Sequence, residues 1–387
     1  MRLVGTGACG WALGVRGWQA QARASGPAAR ASGPAARDAG NGNVKVHFYF
    51  VLPGVDSLGV CYGMSGSDLP PASTVVRMFK SNGIKAMRLY APDKAALEAL
   101  NGTSIGVLVG APNDVLSNLT SKKAAASWVR DNIQAYPSVK FLYIAVGNEV
   151  AGKPADLLAP AMENVHAALA AAKLGHIQVT TSVSQAIVGV CNQPSAANFT
   201  KEAQVFMGPV LKFLACTGAP LMANIYPYFT YAYNPGDMDI RYALFTAPAT
   251  VVKDGKYNYQ NLFDTTIDAF YEAMSKLGVS NVSVLVSETG WPTGGGKAAT
   301  PENAKVYNEN LIKHIRGGTP RHPDAIKTYL FSMFNENQKP KGVEQNWGLF
   351  YPNKKPVYKI SLDVTPDPDS PAPAPGPESP AAAPHSY

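Results

Sequence analysis

Cysteine and histidine are scarce in this sequence of 387 residues. Four cysteines are too few for a disulfide scaffold, and none of them forms a C-x-x-C pair. The six histidines are scattered, and no His/Cys cluster has the spacing of a metal site. These absences exclude a disulfide-stapled module and a zinc module, and we expect the protein to use neither a metal nor another cofactor.

Charge is also sparse, since only 16% of the residues are Asp, Glu, Lys or Arg against 46% hydrophobic residues. This is the composition of a globular chain. The net charge of +7 comes from basic residues spread along the sequence, without a basic run interleaved with aromatics. We therefore expect no nucleic-acid partner, no membrane span and a monomer, with a basic surface suited to a cell wall or a storage compartment.

Residues 1–58 do not read as part of a folded domain. Up to Arg37 they hold five arginines and no acidic residue, and the heptad Ala24–Arg30 is repeated at once as Ala31–Arg37. Such low complexity cannot bury enough surface to fold. Three interpretations stay open: an organelle transit peptide, the remnant of a secretory core around Val46–Leu52, or a mispredicted start of the chain.

The other end of the chain is biased in a different way. Residues 363–387 are rich in Pro, Ala and Ser, which predicts a disordered, extended tail. This tail has no long hydrophobic stretch, so we expect neither a lipid-anchor signal nor a further binding module.

Between these ends, residues 59–362 alternate short apolar runs with helical patterns. The predicted helices include 155–174 and 303–316, and the predicted strands are 59–64, 86–90, 105–110, 141–148, 177–183, 221–227, 282–287 and 326–334. Eight such units in about 300 residues predict an α/β fold, a (β/α)8 TIM barrel. A doubly wound sheet is the alternative, but Gly63–Ser67 is not the G-x-G-x-x-G turn of a nucleotide enzyme.

One connection is too long for an ordinary loop. Residues 229–264 are rich in Tyr, Asn and Gly, and they predict a small extra lobe beside the barrel.

Two carboxylates end predicted strands. Glu149 closes an apolar run after Gly147 and Asn148, and Glu288 follows the β-branched run of strand seven. Barrel enzymes carry their chemistry at the C-terminal ends of the strands, so both acids should face one cleft. The alternative is structural, because an acid at a strand end can cap a helix or pair with a base. Trp291, three residues after Glu288, favours a sugar site, since an aromatic face can stack on a sugar ring.

Five sequence blocks resemble the plant β-1,3-glucanases of glycoside hydrolase family 17. They occur in the family's order over residues 59–360, and they are Gly59-Val-Cys-Tyr-Gly63, Met87-Arg-Leu-Tyr90, Val146-Gly-Asn-Glu-Val150, Ser287-Glu-Thr-Gly-Trp-Pro292 and Phe334-Asn-Glu-Asn-Gln-Lys339. The resemblance implies a (β/α)8 barrel, a retaining mechanism and endo-cleavage of β-1,3-glucan.

The resemblance also implies roles for the two acids. Glu149 matches the general acid/base, and Glu288 matches the nucleophile of a two-glutamate double displacement. Glu149 must then be protonated near neutral pH while Glu288 stays ionised. Asn148 can donate a hydrogen bond to the sugar 2-hydroxyl or to the nucleophile.

Further residues are expected to support this site. By resemblance, Glu336 and Lys339 belong to it, and Glu344 does so less securely because the segment before it is one residue shorter than the family's pattern. A surface ion pair between Glu336 and Lys339 is the structural alternative. Among aromatics at strand ends, we expect Tyr62 and Tyr226 to contact the sugar.

Alternatives to a β-1,3-glucanase remain. The same blocks occur in enzymes that cut mixed-linkage 1,3;1,4-β-glucan, a transglucosylase would use the same covalent intermediate, and a non-catalytic β-glucan-binding wall protein would keep the fold. Sequons at Asn101, Asn118, Asn198 and Asn281 are compatible with a secreted glycoprotein of the cell wall, whereas vacuolar or organellar targeting is the other possibility. Plant defence is one role the family implies.

Cys61 is predicted to be buried, and Cys191 is a candidate partner of Cys216.

Overall fold

The computed structural model describes residues 58–189, 193–234 and 238–362. The expectations for the N-terminal segment before Leu58, for the tail 363–387 and for Cys191 lie outside the described residues. Cys61 is fully buried, as predicted, and Cys216 is exposed and free.

Strands and helices alternate through most of the described chain. The strands are β1 (Leu58–Cys61), β2 (Ala86–Leu89), β3 (Gly106–Ala111), β4 (Lys140–Asn148), β5 (Gln178–Ser184), β6 (Leu221–Asn224), β7 (Val252–Asp254), β8 (Tyr257–Tyr259), β9 (Val284–Thr289) and β10 (Thr328–Leu330). The helices are α1 (Ala72–Ser81), α2 (Lys94–Leu100), α3 (Leu116–Leu119), α4 (Lys122–Val129), α5 (Leu158–Ala171), α6 (Lys201–Thr217), α7 (Pro227–Tyr233), α8 (Ile240–Ala243), α9 (Leu262–Lys276) and α10 (Pro301–His314).

Eight parallel strands close into a barrel, in the spatial order β1, β10, β9, β6, β5, β4, β3, β2 and back to β1. The predicted (β/α)8 TIM barrel is thereby confirmed. The sequence explains the closure, because most strands are buried along their whole length, as in β3 and β9. Strands covered on both faces are typical of parallel sheets wrapped by helices.

Several helices bury one face against the barrel, and some begin at a side-chain cap. In α1, for example, Val75, Val76 and Phe79 are buried against the barrel. The side chain of Thr300 accepts a hydrogen bond from the backbone of Asn303 at the start of α10, which satisfies one of the free N–H groups of the first turn. Within the described ranges, no helix combines the length and the apolar character needed to cross a bilayer.

The extra lobe is present where the sequence predicts it. Between β6 and α9 the chain forms the short helices α7 and α8 and the antiparallel hairpin of β7 and β8. Asp254 in this hairpin accepts hydrogen bonds from the backbone N–H and the hydroxyl of Ser195, in the segment after β5. The lobe is therefore tied to the loop of a neighbouring barrel unit.

The first barrel residue differs slightly from the predicted boundary. Leu58 is the first residue of β1 and pairs with Thr328 of β10, so the barrel includes a residue that the sequence placed just before it.

Candidate active site

Three polar side chains meet at the C-terminal ends of neighbouring strands. Glu149 directly follows β4, Asn224 ends β6, and Glu288 is the last residue but one of β9. The parallel register places Asn224 opposite Glu288. Residues 139 positions apart in sequence are thus brought to one end of the barrel, which is where barrel enzymes place their chemistry.

The backbone around Glu149 has an unusual conformation. Gly147 has a φ of 74° and Glu149 a φ of 52°, both in the left-handed region. For a residue other than glycine this conformation costs about 1–2 kcal/mol. The N–H of Glu149 donates to the carbonyl of Ser182 in β5, at 2.8 Å. Strain of this kind persists where surrounding contacts hold it, and it clusters at functional sites.

Glu288 is enclosed by hydrogen-bond donors. Its Oε1 lies 2.9 Å from Arg88 Nη1 and accepts a hydrogen bond from the hydroxyl of Tyr90 at 2.7 Å. Its Oε2 accepts one from the hydroxyl of Tyr226, also at 2.7 Å. Burial, together with the neighbouring carboxylate, raises the pKa of Tyr226 well above its usual value, so this hydroxyl keeps its proton and donates. Glu288 is thus held by one cation and two hydroxyl donors.

Arg88 pairs with Glu288 and also hydrogen-bonds to residues beside Glu149. It is 1% exposed, and its Nη1 also donates to the Ser287 carbonyl at 2.8 Å and to Asn224 Oδ1 at 3.2 Å. Its Nη2 donates to Asn148 Oδ1 at 2.8 Å. One buried guanidinium thus fixes the side chains beside both glutamates.

Glu149 has a different environment. Its Oε1 accepts a hydrogen bond from Asn224 Nδ2 at 3.0 Å. The residue as a whole is exposed, whereas the protein atoms around its carboxyl group displace water and make its ionisation costly. Burial, followed by the negative charge of Glu288, raises the pKa of Glu149 to about 7. A carboxyl group with this pKa holds a proton near neutral pH and can donate it.

A second charged cluster lies near Phe331. Lys339 Nζ lies 3.1 Å from Glu336 Oε2 and 4.2 Å from the centre of the Phe331 ring. Glu336 is 2% exposed, and its Oε1 accepts a hydrogen bond from the Ser65 N–H at 2.7 Å. The pair is therefore anchored in the protein rather than on its surface. Burial raises the pKa of Glu344, against the opposing effect of Lys339.

The aromatic residues predicted from sequence have different positions. Trp291 is 1% exposed and packs between Tyr228, Tyr231 and Tyr307, while its indole N–H donates to the Ala298 carbonyl. The expectation that Trp291 offers a face to a sugar is wrong, because other rings enclose it.

The other two predicted rings are also mostly buried. Tyr226 is 8% exposed and holds Glu288, as described above. Tyr62 is 4% exposed and packs edge-on against Phe334. Its contact with a sugar remains a prediction.

Sequence reasoning did not single out three residues that hold the site, namely Arg88, Tyr90 and Asn224. A signal existed for two of them. Arg88 is a charged residue inside an otherwise apolar strand, and Asn224 is a polar residue at a strand end. Among the described residues, no group of three His, Cys, Asp or Glu side chains is placed to hold a metal ion.

Comparisons with known proteins agree with this geometry. The family described as Glycosyl hydrolases family 17 matches residues 58–362. Lichenase-2 of Hordeum vulgare is 68% identical over 311 residues, which cover 80% of this chain and 100% of that protein. The acidic isoform of glucan endo-1,3-beta-glucosidase from Zea mays is 50% identical over 319 residues, with 81% and 94% covered.

Solved structures give the same result. A structure from a study of two plant beta-glucan endohydrolases with distinct substrate specificities superposes with a TM-score of 0.78 at 69% identity. The match covers 79% of this chain and 100% of that chain. With a barrel closed by eight strands and a family match over nearly all of the described residues, the chain belongs to glycoside hydrolase family 17.

Proposed function

We propose that the chain is an endo-acting β-glucan hydrolase in which Glu288 is the nucleophile and Glu149 the general acid/base. One observation carries this proposal: the two carboxyl groups at one barrel end have opposite surroundings. Glu288 is paired with Arg88, whereas the pKa of Glu149 is raised to about 7. Two carboxyl groups of opposite protonation state are what double displacement at a glycosidic bond requires.

The proposed reaction has two steps. Glu149 gives its proton to the leaving glycosidic oxygen while Glu288 Oε attacks the anomeric carbon, and the bond to the leaving sugar breaks. Glu149, now ionised, then takes a proton from water, which attacks the same carbon and releases Glu288. Asn148 Oδ1 accepts hydrogen bonds from Arg88 and Asn224. This arrangement supports a role for its Nδ2 as a donor to the sugar 2-hydroxyl.

Retention of configuration is part of the proposal. Two displacements at one carbon leave the anomer unchanged, and they require carboxyl groups about 5–5.5 Å apart. NMR of the first product formed from a β-glucan tests this step directly. An initial β-anomer is expected, whereas an initial α-anomer would show a single displacement by water.

β-1,3-Glucan of the callose or laminarin type is the proposed substrate. The family match and the named glucan endo-1,3-beta-glucosidase relative at 50% identity support it. Mixed-linkage 1,3;1,4-β-glucan is the second candidate, and a specific observation favours it: identity to the lichenase is 68%. The two proposed catalytic carboxylates can cleave either linkage. Selection between the two glucans must therefore depend on the shape of the surface that binds the sugar chain.

Reducing-end release distinguishes these candidates. The full chain is incubated with linear β-1,3-glucan, mixed-linkage β-glucan and cellulose, with Glu288→Gln in parallel. Cleavage of β-1,3-glucan to short oligomers supports the first candidate, and preferential cleavage of mixed-linkage glucan supports the second. Glucan binding without cleavage by the wild type would leave a binding protein, and longer products at high oligosaccharide concentration would indicate a transglucosylase.

We also propose that Glu336, Lys339 and Glu344 support the site electrostatically. Lys339 is the cation of this cluster, and an opposite charge nearby favours ionised carboxylates. Lys339→Met should therefore lower kcat on β-glucan, and an unchanged kcat would leave Lys339 with a purely structural role.

A secreted, cell-wall location is proposed on separate grounds. The four sequon asparagines, Asn101, Asn118, Asn198 and Asn281, are all exposed, and exposure is required for glycosylation in the secretory pathway. A shift in electrophoretic mobility after removal of N-linked glycans from protein purified from its source would support this route. A vacuolar destination would share that shift, and cell fractionation separates the two.

A further inference from the structure

Asn113 contacts the backbone of the turn at residues 147–149, which carries Glu149. Asn113 itself lies outside the five sequence blocks quoted above. It is the first residue of a short 3-10 turn, Asn113–Val115, that follows β3. Its Nδ2 donates to the carbonyl of Asn148 at 2.9 Å, and its Oδ1 accepts from the N–H of Asn148 at 2.8 Å. The nitrogen and the oxygen of the side-chain amide therefore both hydrogen-bond to the backbone of Asn148. The backbone of a neighbouring strand would satisfy these two groups in the same way.

This pair of hydrogen bonds lies where the chain needs support. Asn148 stands between Gly147 and Glu149, whose φ angles of 74° and 52° are both left-handed. On the other side, the N–H of Glu149 is held by the Ser182 carbonyl of β5. The turn is thus hydrogen-bonded on one side to β5 and on the other side to the segment after β3. These hydrogen bonds fix the direction in which the Glu149 side chain leaves the backbone.

Burial does not explain the presence of Asn113. The residue is exposed, so it fills no core position, and its amide is occupied by Asn148 rather than by the 3-10 turn that it starts. Its neighbours in sequence are not part of the paired-glutamate network. The contacts that account for an asparagine at this position are those with the turn of Glu149.

We propose that Asn113 is a positioning residue for Glu149: its side-chain amide clamps the left-handed turn and so directs the acid/base carboxyl at the glycosidic oxygen. The inference rests on the proposed function, since it assigns Asn113 a part in the proton transfer by Glu149. Asn113 itself touches no reacting atom. Its effect is on the geometry of proton donation, which is sensitive to displacements of about 1 Å.

The test compares two substrates that differ in their need for an acid. One is the β-glucan that the wild type cleaves, and the other is a β-linked oligosaccharide with a nitrophenolate leaving group, which departs without full protonation. For Asn113→Ala we expect kcat/KM on the glucan, which reports the first step, to fall about 10- to 100-fold. We expect a much smaller loss of kcat/KM on the nitrophenyl substrate, because its leaving group needs little proton donation from Glu149.

A matched control exists elsewhere in the chain. Asn164 also makes two side-chain hydrogen bonds to backbone, with Nδ2 donating to the carbonyls of Leu119 and Thr120 at 3.0 and 2.8 Å. It ties α5 to the end of α3, away from the two glutamates. Asn164→Ala should lower thermal stability as Asn113→Ala does, without changing the ratio of the two substrates.

A second variant checks the donor. Asn113→Asp keeps an acceptor for the Asn148 N–H, but its ionised form cannot donate to the Asn148 carbonyl, and it adds negative charge near Glu149. The pH at which kcat/KM falls on the alkaline side should therefore move upward, because a neighbouring anion raises the pKa of a carboxyl group. An unchanged pH would show that the side chain at position 113 lies too far from Glu149 to influence it, and this result would contradict the proposal.

The outcomes separate the two proposals. An inactive wild type, or a Glu149→Gln variant that keeps full activity on the glucan, would overturn the proposed function. If Glu149→Gln shows the leaving-group dependence but Asn113→Ala loses activity equally on both substrates, or keeps it within twofold on the glucan, only the role of Asn113 is overturned.

Discussion

Glu288 and Glu149 have the same functional group and reach the same barrel end, so the different roles proposed for them must come from their neighbours. Glu288 receives a cation and two hydroxyl donors. Glu149 receives one amide donor and the negative charge of Glu288. Opposite charges and donors favour ionisation, whereas burial and a like charge oppose it. These different surroundings are the basis for the proposed roles of Glu288 as nucleophile and Glu149 as general acid/base.

Removing the carboxylate of Glu288 should end turnover. In Glu288→Gln the shape and one acceptor remain, but the nucleophile is lost, and kcat should fall about 10³-fold or more. In Glu288→Ala, Arg88 also loses its charged partner, so the free energy of unfolding should fall by about 1–3 kcal/mol. Reducing-end assays and urea unfolding measure the two effects. Activity of Glu288→Gln within tenfold of the wild type would rule out the nucleophile assignment.

The raised pKa of Glu149 predicts an alkaline limit to activity. The first step needs protonated Glu149, and this form is lost as the pH rises through about 7. On β-glucan, kcat/KM should therefore fall as the pH rises above about 7 and should be nearly constant over the pH range just below it. Glu149→Gln should lose about 10²–10⁴-fold in kcat on β-glucan and should also lose this alkaline limb. A limb of unchanged position in Glu149→Gln would assign the titration to another group.

At the scale of elements, the sequence predicts the barrel strands well and their ends less well. All eight predicted strands are present, but the run predicted as 221–227 stops at Asn224, because Pro227 begins α7. Proline fits the first turn of a helix and cannot donate to a strand ladder. Likewise, the run predicted as 326–334 is a continuous strand only over Thr328–Leu330. Beyond it single hydrogen bonds continue, in which the Phe331 N–H donates to the Thr289 carbonyl and the Met333 N–H donates to the Cys61 carbonyl. Such ends depend on partners that local sequence does not reveal.

Helix α9 carries a buried acid that makes stability depend on pH. Asp268 is fully buried and accepts hydrogen bonds from Tyr259 at 2.8 Å and Thr319 at 2.6 Å. Burial raises the pKa of Asp268 to about 6. The folded chain therefore holds this proton more tightly than the unfolded chain, whose aspartates titrate near about 4. Stability contributed in this way is present at low pH and is lost as the pH rises from about 4 to 6.

Asp268→Asn isolates this contribution. The asparagine fills the same space without titrating, so the stability advantage of the wild type over the variant should shrink by about 2–3 kcal/mol between pH 4 and pH 7. Urea unfolding at both pH values gives the difference. The exposed Asp131→Asn serves as the control for an Asp-to-Asn change at the surface. A constant difference for Asp268→Asn would mean that the pKa of Asp268 is not raised by folding.

At the scale of the whole molecule, the site is assembled by closure of the barrel. The acids were predicted because each follows an apolar run at a strand end. Arg88 was missed because its partners Asn148, Asn224 and Glu288 lie between 60 and 200 positions away. Contacts of this range follow from the order of strands around the barrel, not from any sequence window. The buried state of Trp291 was missed for the same reason, since Tyr228 and Tyr307 reach it from other units.

The closed barrel also predicts how much of the chain is needed for folding. The family match begins at Leu58 and ends at Leu362, and a fragment of residues 58–362 should keep the midpoint of thermal unfolding within about 2 °C of the full chain. A fragment of residues 62–362 is its matched control. That fragment lacks β1, which pairs with both β10 and β2, so it leaves two strand edges unpaired and should fail to fold cooperatively.

Calorimetry and reducing-end release on both fragments complete this test. Full activity of the 58–362 fragment with an unchanged midpoint would place every residue needed for folding and catalysis inside the barrel and its lobe. A midpoint lowered by about 5 °C or more, roughly what 2 kcal/mol does to a domain of this size, would instead show that residues outside 58–362 pack on the barrel. Cooperative unfolding of the 62–362 fragment would mean that β10 and β2 can close the barrel without β1.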